Sequence, residues 1–176
     1  MDIPEDGVVN DVFTIDFPED ISPVHFIRLR LFDGNGKQVG SNFYWRSDDV
    51  YEGKKTLTGP ATSGFETISE LGQTRVVMDS VALREDEKTV WLDLTLKNSR
   101  KAISFFTQIQ WLDSEGKPIR PSYYTDNFFS MLPGETRTIT VETAKKDMPA
   151  GPCRLVVKGF NADPVEITVK SSSQAE

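Results

Sequence analysis

Residues 105–135 constrain the fold more tightly than any other part of the chain. They read as a strand, a tight turn, a second strand, a short aromatic crossing and another tight turn. Asp113-Ser114-Glu115-Gly116-Lys117 is a hairpin turn with glycine where a positive φ is wanted. Pro133-Gly134 suits a type II turn, proline presetting φ at its second position and glycine supplying φ > 0 at its third. Ahead of the first turn, Ile103, Phe105, Ile109 and Trp111 fall on one side of an extended strand and Gln108 and Gln110 on the other. That is the pattern of a sheet with one wet face. Phe106 interrupts the polar side.

The rest of the chain keeps the same period. Residues 8–17 alternate, with Phe13, Ile15 and Phe17 on one face, and predict a strand closed by Pro18. Residues 25–32 place Ile27, Leu29 and Leu31 on one side and Arg28 and Arg30 on the other. Asp33-Gly34-Asn35-Gly36 then turns the chain back into 38–45. Three strands are too few for a closed immunoglobulin-like sandwich, which needs about seven. Residues 46–64 carry charge, Gly53, Gly59, Gly64 and Pro60, with no sustained period. Ser63-Gly64-Phe65-Glu66 has capping-box spacing, and Phe65, Ile68 and Leu71 follow at helical intervals, which predicts a short helix ended by Gly72.

From Arg75 the pattern is continuous β: 75–83, 89–97, the 105–135 stretch, 136–143, 154–160 and 165–170. In 89–97 Val90, Leu92, Leu94 and Leu96 point inward, and Trp91, Asp93, Thr95 and Lys97 outward. Short strands, many turns and almost no helix predict an all-β, immunoglobulin-like Greek-key β-sandwich preceded by a partial β-sandwich lobe. The expected divisions are 1–46 for the partial lobe, 47–73 for a linker with a short helix, 74–171 for the complete sandwich and 172–176 for a polar tail. Asp33, Gly36, Lys37, Val39 and Tyr44 recur 80 positions later as Asp113, Gly116, Lys117, Ile119 and Tyr124. Two related sandwiches in tandem would produce this echo, and so would two independent hairpins needing one turn chemistry.

The run Tyr124-Thr125-Asp126-Asn127-Phe128-Phe129-Ser130-Met131-Leu132-Pro133-Gly134-Glu135 resembles a segment near the C-terminus of family 2 glycoside hydrolases of the β-mannosidase and exo-β-glucosaminidase branch. There it belongs to a C-terminal immunoglobulin-like domain. Pro18-Glu19-Asp20, the run 26–31 and Ser41-Asn42-Phe43-Tyr44-Trp45 resemble the domain that precedes it. The resemblance implies a parent that is a multi-domain retaining exo-glycosidase acting on β-linked mannose or glucosamine. The parent's catalytic barrel would be the partner of these domains, and its usual setting would be periplasmic or secreted in a bacterium. None of these runs matches the family's catalytic motifs.

Direct reading of the residues also points away from catalysis. Retaining glycoside hydrolysis needs two carboxyls about 5–5.5 Å apart, one with a raised pKa. The acidic residues cluster instead in turns: Glu85, Asp86 and Glu87; Asp48 and Asp49; Glu19 and Asp20. A calcium loop opening at Asp33 or Asp113 would need an oxygen ligand at its fifth place, where Lys37 and Lys117 stand. The lone His25 lacks a nucleophile partner, and Cys153 opens an alternating strand as a small hydrophobe. No cofactor is implied. A formal net charge of −7 argues against nucleic acid or an anionic membrane as partner, and no apolar run approaches the ~20 residues of a membrane span.

The aromatic residues are what remains. Sugars stack on exposed rings, so Trp91, Tyr123, Tyr124, Tyr44 and Trp45 are candidates for carbohydrate or interdomain contact. Core and corner packing is the alternative for Tyr123 and Tyr124. The expected function is an accessory region bracing a catalytic barrel. Its rivals are an independent carbohydrate-binding module and a cell-surface interaction domain. The lobe 1–60, with an apolar face and no opposite layer, is expected to self-associate.

Overall fold

The computed structural model describes residues 5–10, 12–47 and 66–170. The chain divides into two compact units, Met1–Ile68 and Ser69–Glu176.

In the first unit β1 (Val24–Phe32) and β2 (Gln38–Ser47) form an antiparallel hairpin. Asp33 closes it. Its Oδ1 accepts the amides of Asn35 and Lys37, each at 2.9 Å, and Gly36 at φ 79° lets the turn tighten. Residues 8–10 and 12–17, expected as part of a strand, belong to no strand among the described residues. Their alternation is real, yet a strand needs a neighbour for its backbone groups. Phe17 lies against His25, with ring centroids 5.2 Å apart, and the Arg46 guanidinium lies 5.2 Å from the Phe17 ring. Phe13 and Leu31 are each 64% exposed, so among the described residues the apolar face of the hairpin, half-buried at Ile27 and Leu29, is left open at its Leu31 end.

The capping box at 63–66 lies largely outside the described residues. What is described of the expected helix is a single 3-10 stretch, Glu66–Glu70. A run this short makes too few i→i+4 bonds to offset α-helix nucleation.

The second unit is a two-sheet sandwich. One sheet has the order β3-β4-β8-β6, from β3 (Val76–Glu85), β4 (Thr89–Asn98), β8 (Thr136–Ala144) and β6 (Ser122–Tyr124). The other has the order β10-β9-β5-β7, from β10 (Ala162–Val169), β9 (Cys153–Gly159), β5 (Ser104–Leu112) and β7 (Phe129–Met131). Every strand pairing is antiparallel. Leu92, Leu94, Leu96, Ile139 and Val141 from the first sheet meet Ile109, Trp111, Leu155 and Val157 from the second in one buried cluster. The all-β, immunoglobulin-like expectation is borne out, and so is the phase assigned to β4, whose even-numbered apolar residues are all buried.

The hairpin expected at Asp113 is present but short: its turn is built, and the last backbone bond of the return is from the Ile119 amide to the Trp111 carbonyl at 3.0 Å. Asp113 Oδ1 again accepts two turn amides, Glu115 at 2.9 Å and Lys117 at 2.8 Å, and Gly116 has φ 85°. The chain does not run further back along β5. Only Leu112 and Pro118 form a bridge, and the chain crosses to the opposite sheet, where β6 pairs with β8. Pro118 and Pro121 have no N–H to give a ladder, which keeps the pairing beyond the turn short. Among the described residues no helix is long and apolar enough to cross a membrane.

Candidate functional site

The run Tyr124–Glu135 can be assigned almost residue by residue to structural work. Tyr124 is partly buried against the core, and its hydroxyl lies 3.4 Å from the Trp111 amide. Burial pushes its phenol pKa up, and the Trp111 N–H opposes that. Thr125 Oγ1 accepts the Thr140 amide at 3.0 Å. Asp126 binds Arg137 at 2.8 Å, and the same guanidinium also meets Glu135 at 3.1 Å and covers the Phe129 ring at 4.8 Å. Glu135 Oε2 accepts the Leu132 amide at 2.8 Å across the turn that Gly134 makes at φ 73°. Phe129, Ser130 and Met131 are the buried strand β7.

Two asparagines frame this region. The Asn127 side chain bonds both backbone groups of Ile109 and also accepts the Phe128 amide at 3.0 Å. Asn161 donates to the carbonyls of Gly72 and Ile103, each at 2.8 Å, and accepts the Phe105 amide at 2.9 Å. A third, Asn98, is fully buried and ties β4 to the loop at Ala102 and to Met131 at the end of β7. Asparagine suits such posts because it carries donor and acceptor together without charge.

Trp91 and Tyr123 share the outward face of sheet β3-β4-β8-β6. The register places Arg84 opposite Trp91, Trp91 opposite Glu142, and Glu142 opposite Tyr123, a row across all four strands. Trp91 Nε1 donates to Glu142 Oε2 at 3.0 Å, and the Arg84 guanidinium lies over the indole at 4.5 Å. Tyr123 is 67% exposed, so core packing holds for Tyr124 and not for its neighbour. One step along, Asp93 binds Arg84 at 2.6 Å and accepts the Thr140 hydroxyl at 2.6 Å. The hydrogen bond from Arg84, and then that from Thr140, hold its carboxyl below the usual aspartate value. Tyr44 and Trp45 belong to the hairpin unit and, as neighbours on β2, face opposite sides of it.

The carboxylates clearly displaced from their ordinary value among the described residues, Asp93 and Asp86, are shifted downward, whereas a proton donor near neutrality needs an upward shift. Among the described residues no group of His, Cys, Asp or Glu is arranged to hold a metal. Cys153 is buried, and burial, followed by the nearby Asp113 charge, pushes its thiol up and away from reactivity. His25 is buried as well, with Nδ1 3.3 Å from the Ser22 carbonyl.

Sequence reasoning missed a second cluster. Phe106 and Phe128 both adopt positive φ, 54° and 57°, and their ring centroids lie 5.4 Å apart. Phe106 touches Phe105, and Phe105 touches Phe160. The break that Phe106 makes in the polar alternation of β5 was the available signal.

Residues 56–162 match the exo-β-D-glucosaminidase Ig-fold domain family. The chain belongs to that family. Relatives include the exo-β-D-glucosaminidases of Streptomyces avermitilis, 30% identical over 149 residues, and of Amycolatopsis orientalis, 28% identical over 163. These matches cover 80% and 88% of this chain but only 16% of each relative. The crystal structure of the Amycolatopsis orientalis exo-chitosanase CsxA superimposes with a TM-score of 0.74 at 25% identity, covering 89% of this chain and 19% of that one. The resemblance carried by Tyr124–Glu135 is thus borne out. The Ig-fold family is an accessory one, and its relatives are far longer, multidomain enzymes.

Proposed function

We propose that this chain is the non-catalytic bracing region of a longer retaining exo-glycosidase of the glucosaminidase branch, held against that enzyme's catalytic barrel. The observation that carries the reading is the family match over 56–162 in a chain spanning about a sixth of its relatives' length. Relatives named exo-β-D-glucosaminidase favour glucosamine over mannose as the parent's sugar. The structural employment of Tyr124–Glu135 supports bracing, because a family-marking run occupied with turns, caps and strand edges preserves shape. Secretion to the periplasm or beyond would suit a parent that acts on an external polysaccharide. Two measurements test the reading. The isolated chain should not hydrolyse aryl β-D-glucosaminides or β-mannosides above background, and the reading frame that contains it should also encode a barrel of about 250 residues. Turnover lost on mutating a carboxylate of this chain would overturn it.

The row on β4, β8 and β6 favours a second reading, carbohydrate contact. Strands stand about 4.8 Å apart, which sets Trp91 and Tyr123 about 10 Å from each other with the Glu142 carboxylate between them. Two rings flanking an anion suit an amino sugar oligomer. Saturable quenching of tryptophan fluorescence by a glucosamine tetramer, abolished in Trp91→Ala/Tyr123→Ala, would support the module over the brace. Trp45 and Tyr44 are proposed as interdomain contacts.

A further inference from the structure

We propose that the ridge Phe160–Phe105–Phe106–Phe128 is the surface by which the sandwich docks into an apolar recess of the catalytic portion of the same longer chain. This rests on the bracing function proposed above and names where the brace engages. Phe128 stands out within the family-marking run, because its ring does no work inside the fold beyond touching Phe106. Phe106, Phe128 and Phe160 are 46%, 48% and 55% exposed, and only Phe105 beneath them is buried.

The backbone is built to hold these rings outward. Bulky L-residues rarely adopt positive φ, and such strain persists only where the surroundings enforce it. Here they do. Two residues of β5, Phe105 and Phe106, stand against one of β7 between the pairs Ser104–Met131 and Thr107–Phe129, a bulge that re-aims Phe106. Asn161 fixes the Phe105 amide, the Phe160 amide donates to the Phe105 carbonyl at 2.8 Å, and Asn127 fixes the Phe128 amide. Buried Ser104 and Thr107 hydroxyls bond each other at 2.8 Å under the bulge. A fold indifferent to these rings would carry glycine or asparagine at both positive-φ sites.

The ridge offers no polar side-chain atom, so the matching surface is apolar. By contrast, on the outward face of β3-β4-β8-β6 Arg84, Trp91, Asp93, Thr140 and Glu142 already bond one another, as suits a surface facing water. The relatives point to the occupant: this region accounts for 16% of their length, so in them most of the polypeptide available to cover the ridge lies elsewhere in the chain.

The test uses Phe106→Asn/Phe128→Asn in two contexts. Asparagine tolerates positive φ, so the 176-residue chain carrying both changes should melt at an unchanged or higher temperature and bind less of the apolar dye ANS. In the longer chain the same pair should speed proteolytic release of the sandwich by about tenfold or more. Unchanged release would overturn the docking proposal and leave the bracing function standing. Absence of any in-frame catalytic portion would overturn both. A lower melting temperature in the 176-residue chain would show that the rings serve the sandwich itself. Loss of a dimer, seen by light scattering, would assign the ridge to a second copy, and ANS binding that rises only when residues 1–47 are removed would assign it to the hairpin unit.

Discussion

Asn127 supplies Ile109 with the partners of a missing strand residue. The Ile109 amide donates to its Oδ1 at 2.8 Å, and its Nδ2 donates to the Ile109 carbonyl at 3.0 Å. Strand β7 pairs with β5 only between Ser104 and Thr107, so beyond that point Ile109 would face an open edge. One side chain extends the sheet edge by one residue.

Asn127→Ala should therefore cost about 1–3 kcal/mol, since it leaves a buried donor and acceptor without partners. Asn127→Asp should cost a similar amount, because it keeps the acceptor but sets an oxygen against the Ile109 carbonyl. Urea unfolding of the 176-residue chain measures both. A loss of a few tenths would mean that water replaces the side chain without penalty.

The facing of β4 gives a second test. Leu94 and Ile109 are each 1% exposed, from opposite sheets of one core. Truncating either to alanine should cost roughly 2–5 kcal/mol through lost burial and a residual cavity. Trp91→Ala removes a half-buried ring and its Arg84 contact and should cost about 1 kcal/mol. The reverse order, with Trp91 dominant, would mean the strand is turned over.

What the sequence made legible was local. The turns at Asp33 and Asp113 are written in five consecutive residues each, and the structure builds both with the same Asp Oδ1 bonds and a glycine at φ 79° and 85°. The common turn underlies the Asp, Gly and Lys positions of the 80-residue echo. The phase of β4 was legible because ten residues repeat a period of two. Residues 8–17 show the same period, yet those described form no strand, because pairing depends on a neighbour that periodicity does not report. Tyr123 and Tyr124 had to face opposite ways, yet a strand of three residues is too short to say which way. Phe128 left no signal, since its positive φ is held by the Asn127 side chain, which accepts the Phe128 amide while bound to the distant Ile109 backbone.

Asp93 makes stability depend on pH. Its folded pKa is depressed, chiefly by the Arg84 hydrogen bond and then by Thr140. A depressed carboxylate contributes stability above its unfolded pKa and loses that contribution as pH falls through the folded value. The gap between wild type and Asp93→Asn should be full near neutrality and shrink progressively below about pH 4. Urea midpoints over that range report it. A gap that widens on acidification would contradict the sign.

The hairpin unit provides the last prediction. A two-stranded hairpin is at best marginal in water, because it has no second layer to bury its face and both its edges are open. Within this unit Phe13 and Leu31 remain exposed, and Phe17 shields only the part of the apolar face near His25. The sandwich has no such need, since its two sheets already cover each other around Leu92, Leu94, Trp111 and Leu155. The two parts should therefore behave differently in isolation. The 176-residue chain should run larger than its 19.8 kDa by light scattering, through the hairpins of two copies, and removing residues 1–60 should leave a monomer with a cooperative melt. Charge on Arg28 and Arg30 does not prevent this, because Ile27, Leu29 and Leu31 alternate with them and occupy the other side of β1, while Arg46, opposite His25 on that apolar side, lies over the Phe17 ring. Slow amide exchange across β1 and β2 in a strictly monomeric full chain would show that the hairpin needs no partner copy.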